Sequence, residues 1–454
     1  MVSAAPDISA RGAGQGAGLG LIACTALVVG NMIGSGIFLL PSSLAAYGSI
    51  SLAGWLVTAA GALVLALIFG RLARIAPRTG GPYAYARDGF GDFAGFLVAW
   101  GYWIALWSGN AAIAVAFAGY LGFLLPEIGA SPLASMAAAL GAIWLLTWLN
   151  IRGVKEAGIV QILTTGMKLF PLLALIVLGV TYIDPGNFTP VNTSEVGALS
   201  AISACAALTL WAFLGLESAT VPAGDVANPE RNIPLATIVG TALTALVYIG
   251  VTVVALGVIP SAELVGSNAP LALVAGAIWG AGGAMFIALG ACVSTFGTLN
   301  GFTLLTGQIP LGAAQDGVFP KAFARLSATG TPAFGLVVSN VLASGLILMS
   351  FSENLAQQFE FIVLLATLST LFPYLLCALA ELALRARGAV GSASEDMSKV
   401  ILLAALGFIY SVWAIFGSGA EVVFYGFLLL MAGVPVYVWQ CWMKRTDFTQ
   451  EGSI

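Results

Sequence analysis

The stretch Gly30-Asn31-Met32-Ile33-Gly34-Ser35-Gly36-Ile37-Phe38-Leu39-Leu40-Pro41 lies in an apolar run long enough to cross a bilayer, yet three glycines and a serine interrupt that run. Each backbone N–H or C=O without a partner in hydrocarbon costs several kcal/mol, so irregular backbone at that depth survives only where it is buried in protein or lines a cavity. We therefore expect a broken helix whose freed backbone binds a ligand. The alternative is a close-packing face, because Gly30 and Gly34 also form a GxxxG pair.

The composition indicates a protein with many membrane spans. Hydrophobic residues make up 59% of the 454 residues, charged residues only 8%, and the mean hydropathy is +1.00. Soluble domains carry about 25% charged residues. The chain has no histidine, and its five cysteines show no metal-ligand spacing. We therefore expect no metal, no cofactor and no nucleic-acid partner, and any proton must be handled by carboxylate, lysine, tyrosine or water.

Apolar segments of spanning length, about 20 residues each, occur twelve times. They predict an all-α integral membrane protein with 12 transmembrane helices. The segments cover roughly 19–44, 50–73, 91–124, 132–151, 158–182, 198–222, 232–258, 270–307, 334–352, 358–384, 398–418 and 421–442.

The distribution of lysine and arginine tests these spans independently. With a cytoplasmic N-terminus, all but one of the 16 basic residues fall in cytoplasmic segments, and external loops carry acids such as Glu127, Asp184, Glu195 and Glu263. The pattern predicts two cytoplasmic termini in a plasma membrane, expected to be a bacterial inner membrane. The cytoplasmic set is Arg11, Arg71, Arg74, Arg78, Arg87, Arg152, Lys155, Arg231, Lys321, Arg325, Arg385, Arg387, Lys399, Lys444 and Arg445.

A second interrupted span is predicted at Leu210–Ser218, where Gly215 and Glu217 stand at membrane depth. Segments one and six begin two groups of five, and an odd group length inverts the second group. Paired interrupted helices in inverted halves point to the site of a secondary transporter. The predicted division is a disordered cytoplasmic tail 1–18, a first repeat 19–182, an external loop 183–197, a second repeat 198–384, helices eleven and twelve in 385–442, and a cytoplasmic tail 443–454.

Two ionisable residues, Lys168 and Glu217, lie inside predicted spans. Each costs about 2.5–3.5 kcal/mol at a helix centre, so we expect both to act as titrating groups. Alternatively, each satisfies broken backbone, the lysine at segment one and the carboxylate at segment six. Trp211, six residues before Glu217, is expected to form part of a pocket wall. Glu360 and Glu381 lie nearer the ends of segment ten, and we expect them to reach the membrane interface.

Six stretches of the sequence, two of them described above, carry a family resemblance. They are Gly30–Pro41, the internal loop Gly80–Arg87 with Phe90-Gly91, the segment Trp211–Ser218, the loop Asn228–Pro234, the run Asp316–Pro320 and the pair Pro373-Tyr374. In these stretches and their order, the chain resembles the amino acid–polyamine–organocation (APC) superfamily of transporters over about residues 19–440. The closest resemblance is to the bacterial arginine/agmatine antiporters and the basic amino acid/polyamine antiporters.

The resemblance implies a five-plus-five inverted repeat that binds its substrate between the breaks of segments one and six. Asn31, Ser35 and Gly36 would meet the substrate carboxylate and amine. Trp211 would be an aromatic gate, Tyr374 a gate from segment ten, and Asn110 a polar contact from segment three. The implied substrate contacts are Asn31, Ile33, Ser35, Gly36, Leu106, Asn110, Trp211, Ala212, Leu214, Phe302, Ala366 and Tyr374, and the implied proton-coupling residues are Glu217, Lys168 and Tyr102.

The chain departs from the arginine/agmatine antiporters in the side-chain pocket. Phe302 stands where they have a tryptophan, and Ala212, Leu106 and Ala366 replace small polar or thiol residues. Phe is a poorer cation–π partner than Trp, so neutral amino acids stand beside arginine, agmatine and polyamines as candidate substrates. Lys168 resembles the segment-five lysine of proton-coupled relatives, which argues against sodium coupling.

These features favour a secondary active amino acid carrier, either an exchanger or proton-coupled, that works by alternating access. A passive channel is a distant alternative, because two mid-span breaks suit it poorly. An integral-membrane enzyme is another, but we expect no enzyme, since histidine and metal motifs are absent from the sequence and the loops are short. The expected partners are the small-molecule substrate, protons and membrane lipid, and relatives suggest a homodimer.

Overall fold

The computed structural model describes residues 19–76, 81–153, 158–221, 223, 226–349, 355–388 and 396–451. These residues form helices almost throughout, and extended pairing among them is limited to one bridge between Leu19 and Val226. The predicted tail 1–18 lies outside the described residues. The helices are α1 (Leu21–Met32), α2 (Ser35–Ala45), α3 (Ser51–Ile75), α4 (Pro82–Phe90), α5 (Asp92–Leu124), α6 (Pro126–Gly129), α7 (Pro132–Arg152), α8 (Gly158–Gly179), α9 (Ala198–Leu210), α10 (Pro229–Val258), α11 (Ser261–Leu264), α12 (Pro270–Gln315), α13 (Ala333–Met349), α14 (Leu355–Ala386), α15 (Met397–Gly417), α16 (Ala420–Met431) and α17 (Gly433–Glu451).

Within the described ranges, 11 helical stretches are long and apolar enough to cross a membrane, and α13 is a shorter apolar helix of 17 residues. Each of the twelve predicted segments coincides with one of these. The prediction of an all-α membrane protein with 12 spans is therefore confirmed. The last span differs in its end, because α17 continues as a helix to Glu451, into the stretch predicted as a tail.

Proline residues mark where several helices begin. Pro82, Pro132, Pro229 and Pro270 occupy the first turn of α4, α7, α10 and α12, where a missing N–H costs nothing and the fixed φ suits a helix. The sequence analysis treated Gly80–Arg87 as an internal loop. From Pro82 onward this stretch is instead the helix α4. Its nine residues are too few to cross a membrane, which takes about 20.

The long eighth span is not one straight rod. α12 contains 46 residues, and at Gly280 the backbone leaves the helical region with φ 71° and ψ −166°. Only glycine adopts such a conformation readily. This change of direction at Gly280 accommodates a helix much longer than the roughly 20 residues that a straight span needs.

The interior of the bundle is built around α5. It is the most buried span of those described, and it packs against α12 and α14. α15 and α16 are the most exposed, as expected for two helices added outside the two groups of five. Both interrupted spans contribute to this interior, since α2 packs against α12 and α9 packs against α14.

The two ends of the bundle differ in charge. We call the end that carries Arg71, Arg74, Arg152 and Arg385 the basic face, because these residues stand at the ends of α3, α7 and α14. The connections at the other end carry acidic residues such as Glu127 and Glu263, and we call it the acidic face.

Glu381 lies at the basic face, near the end of its span as predicted, but its side chain is buried. It is 5% exposed and accepts hydrogen bonds from Nε (2.8 Å) and Nη2 (2.7 Å) of Arg71 on α3. Nη2 of Arg385, one turn later on α14, donates to it at 2.9 Å. A carboxylate that joins two helices through two guanidinium groups is buried because its charge is more than matched.

Candidate substrate site

The first span is broken between α1 and α2. Ile33 has an extended backbone with φ −76° and ψ 91°, and Gly34 has φ −137° and ψ −138°. α2 begins at Ser35 without a side-chain cap, since its preceding residue is glycine. The first amides of α2 therefore point toward the break, and the helix dipole adds a partial positive charge there.

The second break lies after α9. Leu214 has φ −64° and ψ 133°, and Gly215 has φ +102°, a conformation that L side chains rarely adopt. A Cβ on Gly215 would stand 3.1 Å from Cβ of Asn31, so the two breaks touch. Asn31 Nδ2 also donates to Ser218 Oγ at 2.8 Å, which links them through side chains.

Two small cavities lie between the breaks, and both are lined by Asn31, Leu214 and Phe302. The cavity beside α2 has about 10 Å³ for the centre of a water molecule, and the second, beside Glu217, has about 20 Å³. Each therefore holds about one water, so the site is closed around a minimal space. The first is also lined by Ser35, Gly36 and Trp211, and the second also by Tyr102, Leu106, Glu217 and Ser218.

Trp211 forms the wall of the cavity beside α2. Its Nε1 donates to Ser35 Oγ at 3.2 Å, and its ring lies 6.3 Å from that of Phe302 at a 54° angle. A Cβ on Gly109 would stand 2.9 Å from the Trp211 ring, so glycine on α5 makes the room that the indole fills.

Glu217 is fully buried on the far side of the second cavity. Tyr102 and Tyr374 each donate a phenolic hydrogen bond of 2.5 Å, one to each carboxylate oxygen. An ionised carboxylate would accept both contacts, whereas a protonated acid would donate one of them to a phenol oxygen. Tyr374, predicted as a gate, thus meets Glu217 directly.

Lys168 stands at the end of α1. Its Nζ donates to the carbonyl oxygen of Gly30 at 3.1 Å and to Thr298 Oγ1 at 2.7 Å. It is 5% exposed, and in the described part of the chain no carboxylate forms an ion pair with it. The lysine therefore caps carbonyls freed by the first break, the alternative that the sequence analysis kept open.

The other predicted contacts lie around the cavities rather than in them. Asn110 Nδ2 donates to Asn340 Oδ1 at 3.0 Å and to Thr303 Oγ1 at 3.3 Å, and Asn110 lines neither cavity. Ala212 packs on Gly36, where an added Cβ would be 3.0 Å from the alanine Cβ. The remaining two, Ile33 and Ala366, are fully buried but are not part of the cavity lining.

Two residues at the breaks were missed by sequence reasoning. The hydroxyl of Tyr248 on α10 contacts the carbonyl oxygens of Met32 (2.5 Å) and Ala212 (2.9 Å), one from each broken span. Thr298 on α12 accepts from Lys168 and lies 3.4 Å from the carbonyl oxygen of Ile33. The available signal was weak, since each is one of several polar residues in a long and mostly apolar helix.

Hydrogen bonds tie neighbouring helices together on both sides of the site. Toward the acidic face, the hydroxyl of Tyr120 donates to the carbonyl oxygen of Phe38 at 2.7 Å, which ties α5 to α2. Toward the basic face, the hydroxyl of Tyr83 on α4 donates to Asp316 Oδ2 at 2.9 Å, and Arg87 Nη1 lies 3.2 Å from the same oxygen. Burial, and then the Asp316 carboxylate, raise the pKa of Tyr83, so its hydroxyl stays protonated as a donor.

Comparison with known proteins places the chain in a family. Residues 19–439 match the family described as amino acid permease. The putrescine transporter PotE of Escherichia coli K12 is 33% identical over 92% of this chain and 95% of its own length. A putative arginine/ornithine antiporter of Bacillus subtilis 168 is 35% identical, covering 91% and 95%, and the cadaverine/lysine antiporter of Escherichia coli K12 is 35% identical, covering 78% and 81%. The chain belongs to the amino acid permease family.

Proposed function

We propose that this protein is a secondary active exchanger of amino acids and amines that works by alternating access and binds its substrate between the two breaks. One observation carries the proposal. Asn31, Leu214 and Phe302 line both cavities and separate them. The uncapped start of α2 lies on one side of these three residues, and the carboxylate of Glu217 lies on the other. A substrate with a carboxylate at one end and an amine at the other would find a complementary group on each side.

The substrate class follows from the charge at the second cavity. Glu217 has two phenols as its side-chain partners, and no ion pair joins it to a basic residue in the described ranges. Leaving a buried carboxylate without a cation is costly, so a substrate ammonium or guanidinium would stabilise it. The relatives are named for putrescine, arginine and ornithine, and cadaverine and lysine, all of which carry such a group. We therefore propose basic amino acids and diamines as substrates.

The apolar wall fits the same class. Leu106, Leu305 and Phe302 line the cavity beside Glu217, and methylene groups of a lysine or a diamine would pack against them. A neutral amino acid would place an apolar side chain against these residues but would leave Glu217 without a cation. Neutral substrates are therefore the competing outcome of a substrate screen.

Proton coupling is proposed to occur at Glu217. A proton and a substrate ammonium are alternative ways to neutralise the same buried carboxylate, so binding of one should displace the other. Tyr102 and Tyr374 would hold the carboxylate in place in the charged state. Lys168 would keep the end of α1 fixed while the site opens and closes, since it is bound to the Gly30 carbonyl.

We propose that the basic face is cytoplasmic, which puts both termini inside and makes a bacterial inner membrane the expected location. The two five-helix repeats would span 19–182 and 198–384, with 183–197 external. A homodimer stays a prediction that the mass of the detergent-solubilised protein tests. Labelling of single cysteines at Glu263 and Arg325 by an impermeant thiol reagent tests the orientation, since the proposal exposes Glu263→Cys outside and Arg325→Cys inside.

Counterflow in liposomes tests the exchange itself. Vesicles loaded with unlabelled lysine should take up external labelled lysine faster than empty vesicles, and internal ornithine, arginine, putrescine or cadaverine should replace internal lysine. Saturable uptake that depends on internal substrate supports an exchanger. Uptake that neither saturates nor responds to internal substrate would indicate a channel, and exchange restricted to neutral amino acids would refute the assignment of the substrate class.

The role of Glu217 is tested by Glu217→Gln, with Glu263→Gln as the matched control. The variant Glu217→Gln should flatten the pH dependence of exchange and lower the apparent affinity for cationic substrates. The variant Glu263→Gln removes an exposed carboxylate at the acidic face and should change neither. An unchanged pH profile in Glu217→Gln would exclude this residue from coupling.

A further inference from the structure

A groove opens on the outer surface of the bundle near the basic face. It lies between α3, α10 and α15, shares no lining residue with the substrate cavities, and has a volume of about 430 Å³. Its lining combines basic and aliphatic side chains. The lining residues are Leu67, Gly70, Arg71, Arg74, Glu230, Pro234, Ile238, Lys399, Leu402, Leu403 and Leu406.

Polar and apolar groups are separated along the length of this groove. Arg74 is in the last turn of α3, and Lys399 is in the first turn of α15, so both stand at the basic face. Leu67 and Leu406 lie seven residues farther along the same two helices, about 10 Å deeper at 1.5 Å per residue. The groove is therefore cationic at its mouth and aliphatic over the next two helical turns.

The groove exists because the helices touch only at particular points. A Cβ on Gly70 would meet Pro234 at 3.1 Å, so α3 and α10 are in direct contact and form the floor. A Cβ on Gly407 would stand 2.4 Å from Ile68, so α15 meets α3 just beyond Leu406.

The charge of the mouth is positive overall. Arg71, Arg74 and Lys399 face it, with Glu230 as the one acid in the lining. Arg71 also binds Glu381, but that carboxylate is shared with Arg385. The Lys399 side chain is 82% exposed and stands 4.0 Å from Asp396, a distance too long to commit its charge.

We propose that this groove binds one anionic phospholipid, with its phosphate at Arg74 and Lys399 and an acyl chain along Leu67, Leu402 and Leu406. Basic pockets between transmembrane helices on the cytoplasmic side are suited to anionic headgroups. Leu402 and Leu406 are 60% and 45% exposed, so a free phosphate ion would leave the aliphatic wall uncovered. An amphiphile of lipid length matches both halves of the groove.

The binding test uses the full-length protein in detergent with added phosphatidylglycerol, followed by native mass spectrometry. Removing two cations in Arg74→Gln/Lys399→Gln should weaken phosphatidylglycerol binding about 30-fold, from roughly fivefold per basic residue. The matched control, Arg152→Gln/Arg325→Gln, removes the same charge from exposed basic-face positions outside the groove and should bind as the wild type does. Equal loss in both variants would mean surface charge alone attracts the lipid and would overturn the proposal.

A second pair of variants tests the aliphatic wall without changing charge. Leu402→Trp should fill the groove and displace phosphatidylglycerol, whereas Leu348→Trp, on an exposed position of α13, should not. Retained binding in Leu402→Trp would refute an acyl chain in the groove. Phosphatidylcholine, which carries no net charge, should bind at least tenfold more weakly than phosphatidylglycerol to the wild type, and equal binding would refute the role of the cations.

The competing occupant is a second copy of the chain. In a Cys441→Ser background, which removes the exposed native cysteine, Leu402→Cys should stay monomeric on oxidation if lipid fills the groove. Efficient disulfide crosslinking between two copies that is unaffected by phosphatidylglycerol would assign the groove to a dimer interface instead. Because none of these readouts is transport, the result is independent of the proposed substrate.

Discussion

Within the described ranges, the hydroxyl of Tyr248 contacts a carbonyl from each of the two broken spans. It lies 2.5 Å from the oxygen of Met32 and 2.9 Å from that of Ala212. The ring is fully buried between Trp55 and Phe213, at centroid distances of 5.2 and 5.6 Å. The variant Tyr248→Phe would remove the hydroxyl and keep the ring, so its effect isolates the bridge between the breaks.

The size of the effect follows from the donor count. A phenol has one proton, so it serves one carbonyl fully, and the second contact is shared. Removing a donor from a buried carbonyl costs about 1–3 kcal/mol, and the packing of the ring is unchanged. We expect Tyr248→Phe to lower the free energy of unfolding by that amount. We also expect weaker substrate binding, because the breaks lose their common tether.

The free energy is measured by reversible SDS-induced unfolding in mixed micelles, and binding by counterflow in liposomes. The variant Tyr425→Phe is the matched control, since Tyr425 on α16 is 44% exposed and far from the breaks. The reasoning requires a clear difference between the two variants. If Tyr248→Phe unfolds and transports like Tyr425→Phe, the hydroxyl does not hold the breaks together.

Three further substitutions test the site and its supports. Gly215→Ala should destabilise by about 1–2 kcal/mol, because φ is +102° there, whereas Gly345→Ala, in an open helical position, should be neutral or stabilising in the same unfolding assay. Lys168→Met should abolish most counterflow while changing the free energy of unfolding by less than about 2 kcal/mol, since losing a buried charge offsets the lost hydrogen bonds. Glu381→Ala should destabilise by about 3–5 kcal/mol, as it leaves two arginines without their carboxylate, and a stability near that of the wild type would contradict the ion-pair assignment.

The architecture could be predicted because it depends on local signals. Glycines inside apolar runs mark both breaks, and Gly34 and Gly215 lie in the observed breaks. The lysine and arginine pattern fixed the number of spans. The helix α4 was missed as a helix because its glycine-rich start and short length read as a loop, although Pro82 is a good first residue.

The contacts at the site were harder to predict, because they join distant parts of the chain. Tyr248 contacts Met32 across 216 residues of sequence, and nothing near Tyr248 marks it as more than a packed aromatic. Asn110 shows the opposite problem. Its residue type suits a substrate contact, but its Nδ2 already donates to Asn340 and Thr303 on neighbouring helices.

The arrangement of the two buried charges suits the substrate exchange that we propose for this site. Lys168 is held by a backbone carbonyl and a threonine hydroxyl, and Glu217 by two phenols, so neither charge is paired with the other. A direct ion pair between them would satisfy both and leave a substrate amine no unpaired carboxylate to bind. Neutral hydrogen-bonding groups hold Glu217 in position without cancelling its charge. On the proposed function, the site would therefore keep its affinity for a cation, and replacing one cation with another would require no rearrangement of the residues that position the carboxylate.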